Sequence, residues 1–149
     1  MTLQSLRLRH FRNFDDVNFQ FEPGKNIIIG NNGVWKTNIL EALALPLTHL
    51  SEWNPEYHLQ RWSPILSIHY GFDSFRGHYS YAKEKNKKQY QQEQKSISRF
   101  AFQKIYPHII TFHPHMMDLL YGSPSTRRDF LDEILIQAFP EYQKILRSY

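Results

Sequence analysis

Gly30-Asn31-Asn32-Gly33-Val34-Trp35-Lys36-Thr37 carries the strongest chemical signal in the chain, fitting G-x-x-x-x-G-K-[ST] at every fixed position except the second glycine. Small residues in such a loop let successive backbone N–H groups face phosphate. Lys36 is then expected to place its ammonium on the β and γ phosphates, and Thr37, followed by Asn38, to give a hydroxyl oxygen to Mg²⁺. Trp35 stands where the pattern asks for glycine. An indole removes both the unusual dihedrals and the close approach of phosphate that glycine allows. One strained non-glycine residue costs about 1–3 kcal/mol, on the order of ten- to a hundredfold in affinity. The loop is therefore expected to bind nucleotide weakly. The bland alternative is an ordinary strand-to-helix turn rich in Asn and Gly.

A phosphate cradle needs a strand before it and a helix after it. Ile27-Ile28-Ile29 is predicted as a short buried strand, reached through a Pro23-Gly24 turn. Ile39, Leu40, Leu43 and Leu47 recur at helical spacing, so a helix is predicted from Lys36 until Pro46 disturbs its backbone bonding. Upstream, Leu3–Arg9 and Val17–Phe21 alternate with the period of half-buried strands and are predicted to pair antiparallel. Downstream, 51–64 is irregular and Ile65–Phe72 alternates again. Lys83–Lys104 is polar and predicted as an exposed hairpin or short helix, and Ile109–Phe112 as another buried strand. Ser123-Pro124 opens a final helix, with Ser as N-cap and an apolar stripe of Phe130, Leu131, Ile134, Leu135 and Ala138.

The 149 residues suit one domain, and 41% apolar and 15% aromatic residues exclude a disordered chain. With no cysteine, disulfides, zinc–thiolate sites and thiol catalysis are excluded. No apolar run is long enough to span a membrane, and the start, MTLQSLRLRHFRNF, is not a signal peptide, so a cytoplasmic location is expected. The net charge of +4 favours a polyanionic partner. Lys83, Lys85, Lys87, Lys88, Lys95, Arg99 and Lys104, interleaved with Tyr79, Tyr81 and Tyr90, form either a solvated face or a track for a nucleic-acid backbone with stacking help. Arg127 and Arg128 sit near a helix start, where the dipole disfavours cations; they point to an anionic partner or to pairing with Asp129 or Asp132. A metal site on His108, His113 and His115 lacks the carboxylates that would complete it.

Two further segments carry a resemblance. Leu6-Arg7-Leu8-Arg9-His10-Phe11-Arg12-Asn13-Phe14 resembles the opening L-x-x-F-R-N-[FY] of RecF, SMC and related ATPases. Phe112-His113-Pro114-His115-Met116-Met117-Asp118-Leu119-Leu120-Tyr121-Gly122-Ser123-Pro124-Ser125-Thr126-Arg127-Arg128-Asp129-Phe130-Leu131-Asp132 is similar to RecF's F-S-P-E-D-L-x-L-V-K-G-S-P-x-x-R-R-x-F-L-D without a gap. His113, His115, Met116 and Tyr121 replace family residues there.

The resemblance implies an α/β fold, a P-loop NTPase of the ABC-type head, with a mixed sheet, an antiparallel N-terminal β-subdomain and flanking helices. It implies one incomplete head over 1–149, without Walker B strand, signature or second arm. It implies ATP and Mg²⁺ as cofactors, with Gly30 to Asn38 and the pair Arg12 and Asn13 against the nucleotide; without the family, Arg12 and Asn13 read as a strand-end and a turn residue. The implied partners are single-stranded or gapped DNA, contacted through Lys85, Lys87, Lys88, Arg127 and Arg128, recombination mediator proteins, and a second copy in an ATP-dependent dimer. The expected function is recombinase loading in DNA replication and repair and in the SOS response. The alternative is a nucleotide-impaired, non-catalytic DNA- or protein-binding module, and no ATP turnover is expected of this chain alone.

Overall fold

The computed structural model describes residues 1–31, 35–47, 55–111, 117–139 and 141–146. Six strands form one antiparallel sheet in the order β2-β1-β3-β4-β5-β6: β1 Leu3–Phe11, β2 Phe14–Gln20, β3 Ile65–Phe72, β4 Arg76–Ala82, β5 Lys87–Gln92 and β6 Lys95–Ile97. Helices are α1 Lys36–Ala44, α2 Arg99–Ile105, α3 Asp118–Tyr121, α4 Pro124–Ala138 and α5 Tyr142–Leu146, with a 3-10 turn at Pro55–His58.

Register follows from the alternation. Leu6 faces Phe19 and Tyr70, Leu8 faces Val17 and Ile68, and Tyr79 faces both Ile68 and Tyr90, so one face of the sheet is apolar throughout. Phe102 of α2 is fully buried against that face, its ring 5.4 Å from Tyr90, 5.3 Å from Tyr106 and 6.4 Å from Tyr70. Glycine fits closely at position 77, since a side-chain carbon there would lie 3.0 Å from the Phe75 ring and 3.2 Å from the Phe102 ring.

α1 lies on the same face and is tied to the sheet by its carboxyl end. The last four carbonyls of a helix have no partner within it. Here Leu45 N–H donates to Glu41 O at 2.9 Å, Tyr70 Oη–H to Ala42 O at 2.8 Å, Tyr106 Oη–H to Leu43 O at 2.9 Å, and Leu47 N–H to Ala44 O at 2.9 Å. Burial pushes both tyrosine hydroxyls well above their usual range, which keeps them donors. The predicted stop at Pro46 fits its missing N–H.

The opposite face of the sheet is polar. Arg7 donates twice to Asp16 at 2.7 Å, and Arg9 lies 3.3 Å from the same carboxylate. His69 and His78 stack at 4.3 Å, and the Ser67 hydroxyl bridges their Nε2 atoms at 3.0 and 2.8 Å. Burial, then the positive charge of His78, Arg7 and Arg9, lowers the His69 pKa from 6.5 to about 4. Between those values the unfolded chain binds a proton that the folded chain refuses, so stability falls as pH drops from 6.5 towards 4. A His69→Gln variant should lose less across that window in urea titrations, by about 1 kcal/mol given the ring's access to solvent.

Several predicted elements hold: β1 pairs with β2, β3 spans the predicted residues, α1 starts at Lys36, and Ser123 Oγ accepts from the Thr126 N–H to cap α4. Three do not. Ile27-Ile28-Ile29 is extended but pairs with no strand among the described residues, and Ile27 and Ile29 are 85% and 81% exposed. Only Ile28 packs against the core. Ile109 and Ile110 belong to no strand among the described residues, with Ile109 packed against the core and Ile110 exposed; Phe112 lies outside the described residues. The expected stripe on α4 is not buried: Phe130, Ile134 and Leu135 are half-buried, Leu131 and Ala138 exposed, and Ile136 is the buried residue instead.

Candidate functional site

The site is built where the turn after β1 meets the start of α1. Pro23-Gly24 makes the expected turn, with Gly24 at φ 91° and the Asn26 side chain closing it through Glu22 N–H at 3.0 Å and Glu22 O at 2.8 Å. The chain then runs to Asn31 without helix or strand, and Gly30 and Asn31 are exposed. Asn32, Gly33 and Val34 lie outside the described residues.

Lys36, the first residue of α1, turns back on the loop. Its Nζ donates to Gly30 O at 2.6 Å and Asn31 O at 2.8 Å. Thr37 beside it is exposed. No side chain caps the amino end of α1, and its first turn holds no acidic residue. That end is the positive pole of the helix and, among the described residues, has no side-chain cap, which suits an anion such as a triphosphate.

Trp35 meets the loop through its side chain, which the expected strain does not describe. Its φ is −172°, outside the left-handed region in which glycine alone is at ease, so the structure gives no left-handed strain at this position. The obstruction is the side chain. The indole packs between Phe14, at 6.4 Å edge-on, and Phe19, at 6.2 Å stacked. Its Cζ2 lies 3.3 Å from where a side-chain carbon on Gly30 would sit. A glycine at 35 would leave that space open.

Arg12 and Asn13 do reach α1. Asn38 Nδ2 donates to Asn13 Oδ1 at 2.8 Å, and Arg12 Nη2 donates to Glu41 Oε2 at 2.8 Å. Asn38 and Glu41, three apart, share one face of the helix. The turn is fixed from the other side as well: Arg12 N–H donates to His58 O at 2.6 Å, and buried His58 stacks on Phe11 at 5.4 Å with its Nδ1 3.5 Å from Glu41 Oε2. His10 and Arg12 both take left-handed φ, 52° and 55°, in making this turn. Burial acts to raise the Glu41 pKa, but the His58 hydrogen bond and the Arg12 charge outweigh it and hold the carboxyl low. Arg12 Nε is buried without a hydrogen-bond partner among the described residues. Glu41 and His58 were not singled out from sequence; the signal available for Glu41 was its helical phase with Asn38.

The candidate DNA residues fall into two groups. Lys85 and Lys87 are exposed at the β4–β5 hairpin, while Lys88, next along β5, points to the other face; burial and the nearby Arg99 charge lower its pKa. Tyr79, Tyr81 and Tyr90, read as stacking partners for bases, are instead buried in the core, because the strand period that exposes alternate residues turns all three inward. Arg127 and Arg128 are exposed on α4, and Asp132 accepts from the Tyr142 hydroxyl at 3.0 Å. The histidines at 113 and 115 lie outside the described residues, and among those described no three His, Asp or Glu side chains gather to hold a metal. No helix among the described residues is long and apolar enough to cross a membrane.

A family model, AAA domain, matches residues 5–109. The chain is similar to DNA replication and repair protein RecF of Halalkalibacterium halodurans, 35% identical over all of this chain and 41% of the relative. It is 33% identical to RecF of Limosilactobacillus reuteri, over 95% of this chain and 39% of that one. The chain thus spans about two fifths of the length of these relatives. A solved structure of the recombination mediator protein RecF with ATPrS, in the RecFOR pathway, superposes with a TM-score of 0.83 at 21% identity, covering 97% of this chain and 41% of that one. A second, of RecF with ATP, gives 0.75 at 20% identity over 97% and 40%. The fold is therefore that of the RecF ATPase head, α/β and P-loop-bearing, with the antiparallel sheet as its N-terminal part. The chain belongs to the AAA domain family, and in sequence and fold it is RecF-like.

Proposed function

We propose that this chain is the nucleotide-binding, DNA-contacting portion of a RecF-like DNA replication and repair protein, taking ATP with Mg²⁺ at the loop before α1. The observation that carries the reading is Lys36, whose ammonium lies over the loop on the carbonyls of Gly30 and Asn31 at the uncapped start of a helix. Bound there, ATP would bring its phosphate charge to Lys36 and the helix pole, and Thr37 would give its hydroxyl to Mg²⁺. Arg12 and Asn13, held against α1 by Glu41 and Asn38, form the neighbouring wall. In the longer relatives' context the same reading gives recombinase loading at gapped DNA in the cytoplasm, with recombination mediator proteins, an ATP-dependent second copy and a role in the SOS response. The single head over 1–149 is then one part of that machine.

Titrating Mg-ATP by calorimetry into the wild-type chain and Lys36→Ala tests this. Weak binding in the wild type, reduced at least tenfold in the variant, is the expected result, since a charge-assisted contact to phosphate is lost. Equal heats in both would sink the assignment.

A second reading has its own support. Trp35, seated between Phe14 and Phe19 and against Gly30, favours a scaffold that has given up nucleotide and persists as a DNA- or protein-binding module. Nucleotide silence together with salt-dependent oligonucleotide binding would select it.

A further inference from the structure

Trp62 is the most exposed large aromatic among the described residues, at 88%, and it sits in a conformation that disfavours it. The turn Gln60 to Ser63 is closed by Ser63 N–H on Gln60 O at 3.0 Å, and Trp62 holds its third position with φ 73°. Positive φ there is the province of glycine or asparagine, and a bulky residue kept in it marks a site where something other than folding is served.

The surroundings say what that is. Arg61 lays its guanidinium over one face of the indole, 5.2 Å from the centroid, leaving the other face to solvent. The turn is anchored rather than loose: Gln60 N–H bonds to His10 O at 2.9 Å, and Lys83 N–H to Pro64 O at 2.9 Å. That second bond sets Trp62 beside the β4–β5 hairpin, where Lys85 and Lys87 are exposed and Lys83 pairs with Glu56 at 2.9 Å. Tyr57, the residue after Glu56, is 68% exposed. Arg61, Lys83, Lys85, Lys87 and Lys88 outweigh Glu56 and Glu84 in these two segments. An open aromatic face backed by a cation, beside uncompensated lysines, is the arrangement that takes an unpaired base and its phosphates.

We propose that Trp62, with Arg61 and the hairpin lysines Lys85 and Lys87, forms a stacking site for single-stranded DNA at the end of the sheet where β3 begins. This rests on the DNA-contacting part of the proposed function and gives it a location. It also replaces the buried Tyr79, Tyr81 and Tyr90 as the aromatic component.

The test is fluorescence anisotropy with a labelled oligo-dT 20-mer and an abasic oligomer of equal length, titrated with wild type, Trp62→Ala and Lys85→Gln/Lys87→Gln across a range of salt. Trp62→Ala should weaken oligo-dT binding at least fivefold, leave the salt slope unchanged, and have no effect on the abasic oligomer. The lysine variant should flatten the slope by about 1.4, roughly 0.7 for each lost phosphate contact on a single strand. Wild-type affinity in Trp62→Ala, with weaker binding in the lysine variant, would overturn the stacking site and leave the DNA reading standing. No binding of either oligomer by wild type at low salt would overturn both. A Trp62→Gly variant checks the strain: raised thermal stability with weakened oligo-dT binding is expected, and retained binding counts against the proposal.

Discussion

Replacing Trp35 by glycine should tighten Mg-ATP binding by about ten- to a hundredfold, equivalent to roughly 1.4–2.8 kcal/mol. The gain does not come from relieving a left-handed backbone, since φ is −172°. It comes from removing an indole that lies 3.3 Å from the side-chain position of Gly30, and so from restoring room for phosphate beside the loop that Lys36 spans. The same change strips a half-buried ring from Phe14 and Phe19 and should lower stability by about 2 kcal/mol. Calorimetry reads the first effect and a denaturant midpoint the second. Loss of stability without any gain in affinity would clear Trp35 of blocking the loop.

Phe102→Ala should destabilise the chain by about 3–5 kcal/mol, a large share of the roughly 5–15 kcal/mol that holds a domain of this size together. The ring is fully buried, touches Tyr70, Tyr90 and Tyr106, and fills the space that Gly77 leaves free. Collapse into the cavity is hindered because Tyr70 and Tyr106 are held by their hydroxyls to Ala42 and Leu43. A shift in urea midpoint below about 1 kcal/mol would mean that α2 is not integral to the core.

The strands and helices that were legible in the sequence are those whose partners are close in the chain or whose period is strong. β1 and β2 are joined by a two-residue turn, and α1 and α4 carry their own caps or breakers. Ile27-Ile28-Ile29 shows the limit of that logic. An apolar run reports that burial would be favourable, but a strand also needs a neighbour for its backbone, and that neighbour is non-local. The tyrosines were misread although the information was there: Tyr79 and Tyr81 are two apart, so they share a face, and that face is the apolar one. The Arg12–Glu41 contact joins residues 29 apart through a turn with two left-handed residues, which no local pattern announces. Trp35 was visible as a departure from the motif, while its means of obstruction depended on Phe14 and Phe19, brought alongside by β2.

The two ends of α1 are fastened differently. Its four terminal carbonyls are all engaged, two by backbone N–H groups and two by tyrosines rooted in the sheet and in the chain after α2, whereas its amino end is held through side chains, Lys36 on the loop carbonyls and Asn38 on Asn13, with no side-chain cap among the described residues. The contacts at the carboxyl end tie α1 to the core, while those at its amino end tie it to the loop and, through Asn38 and Glu41, to the turn at Arg12 and Asn13, so that the loop and that turn share one helix as their common support.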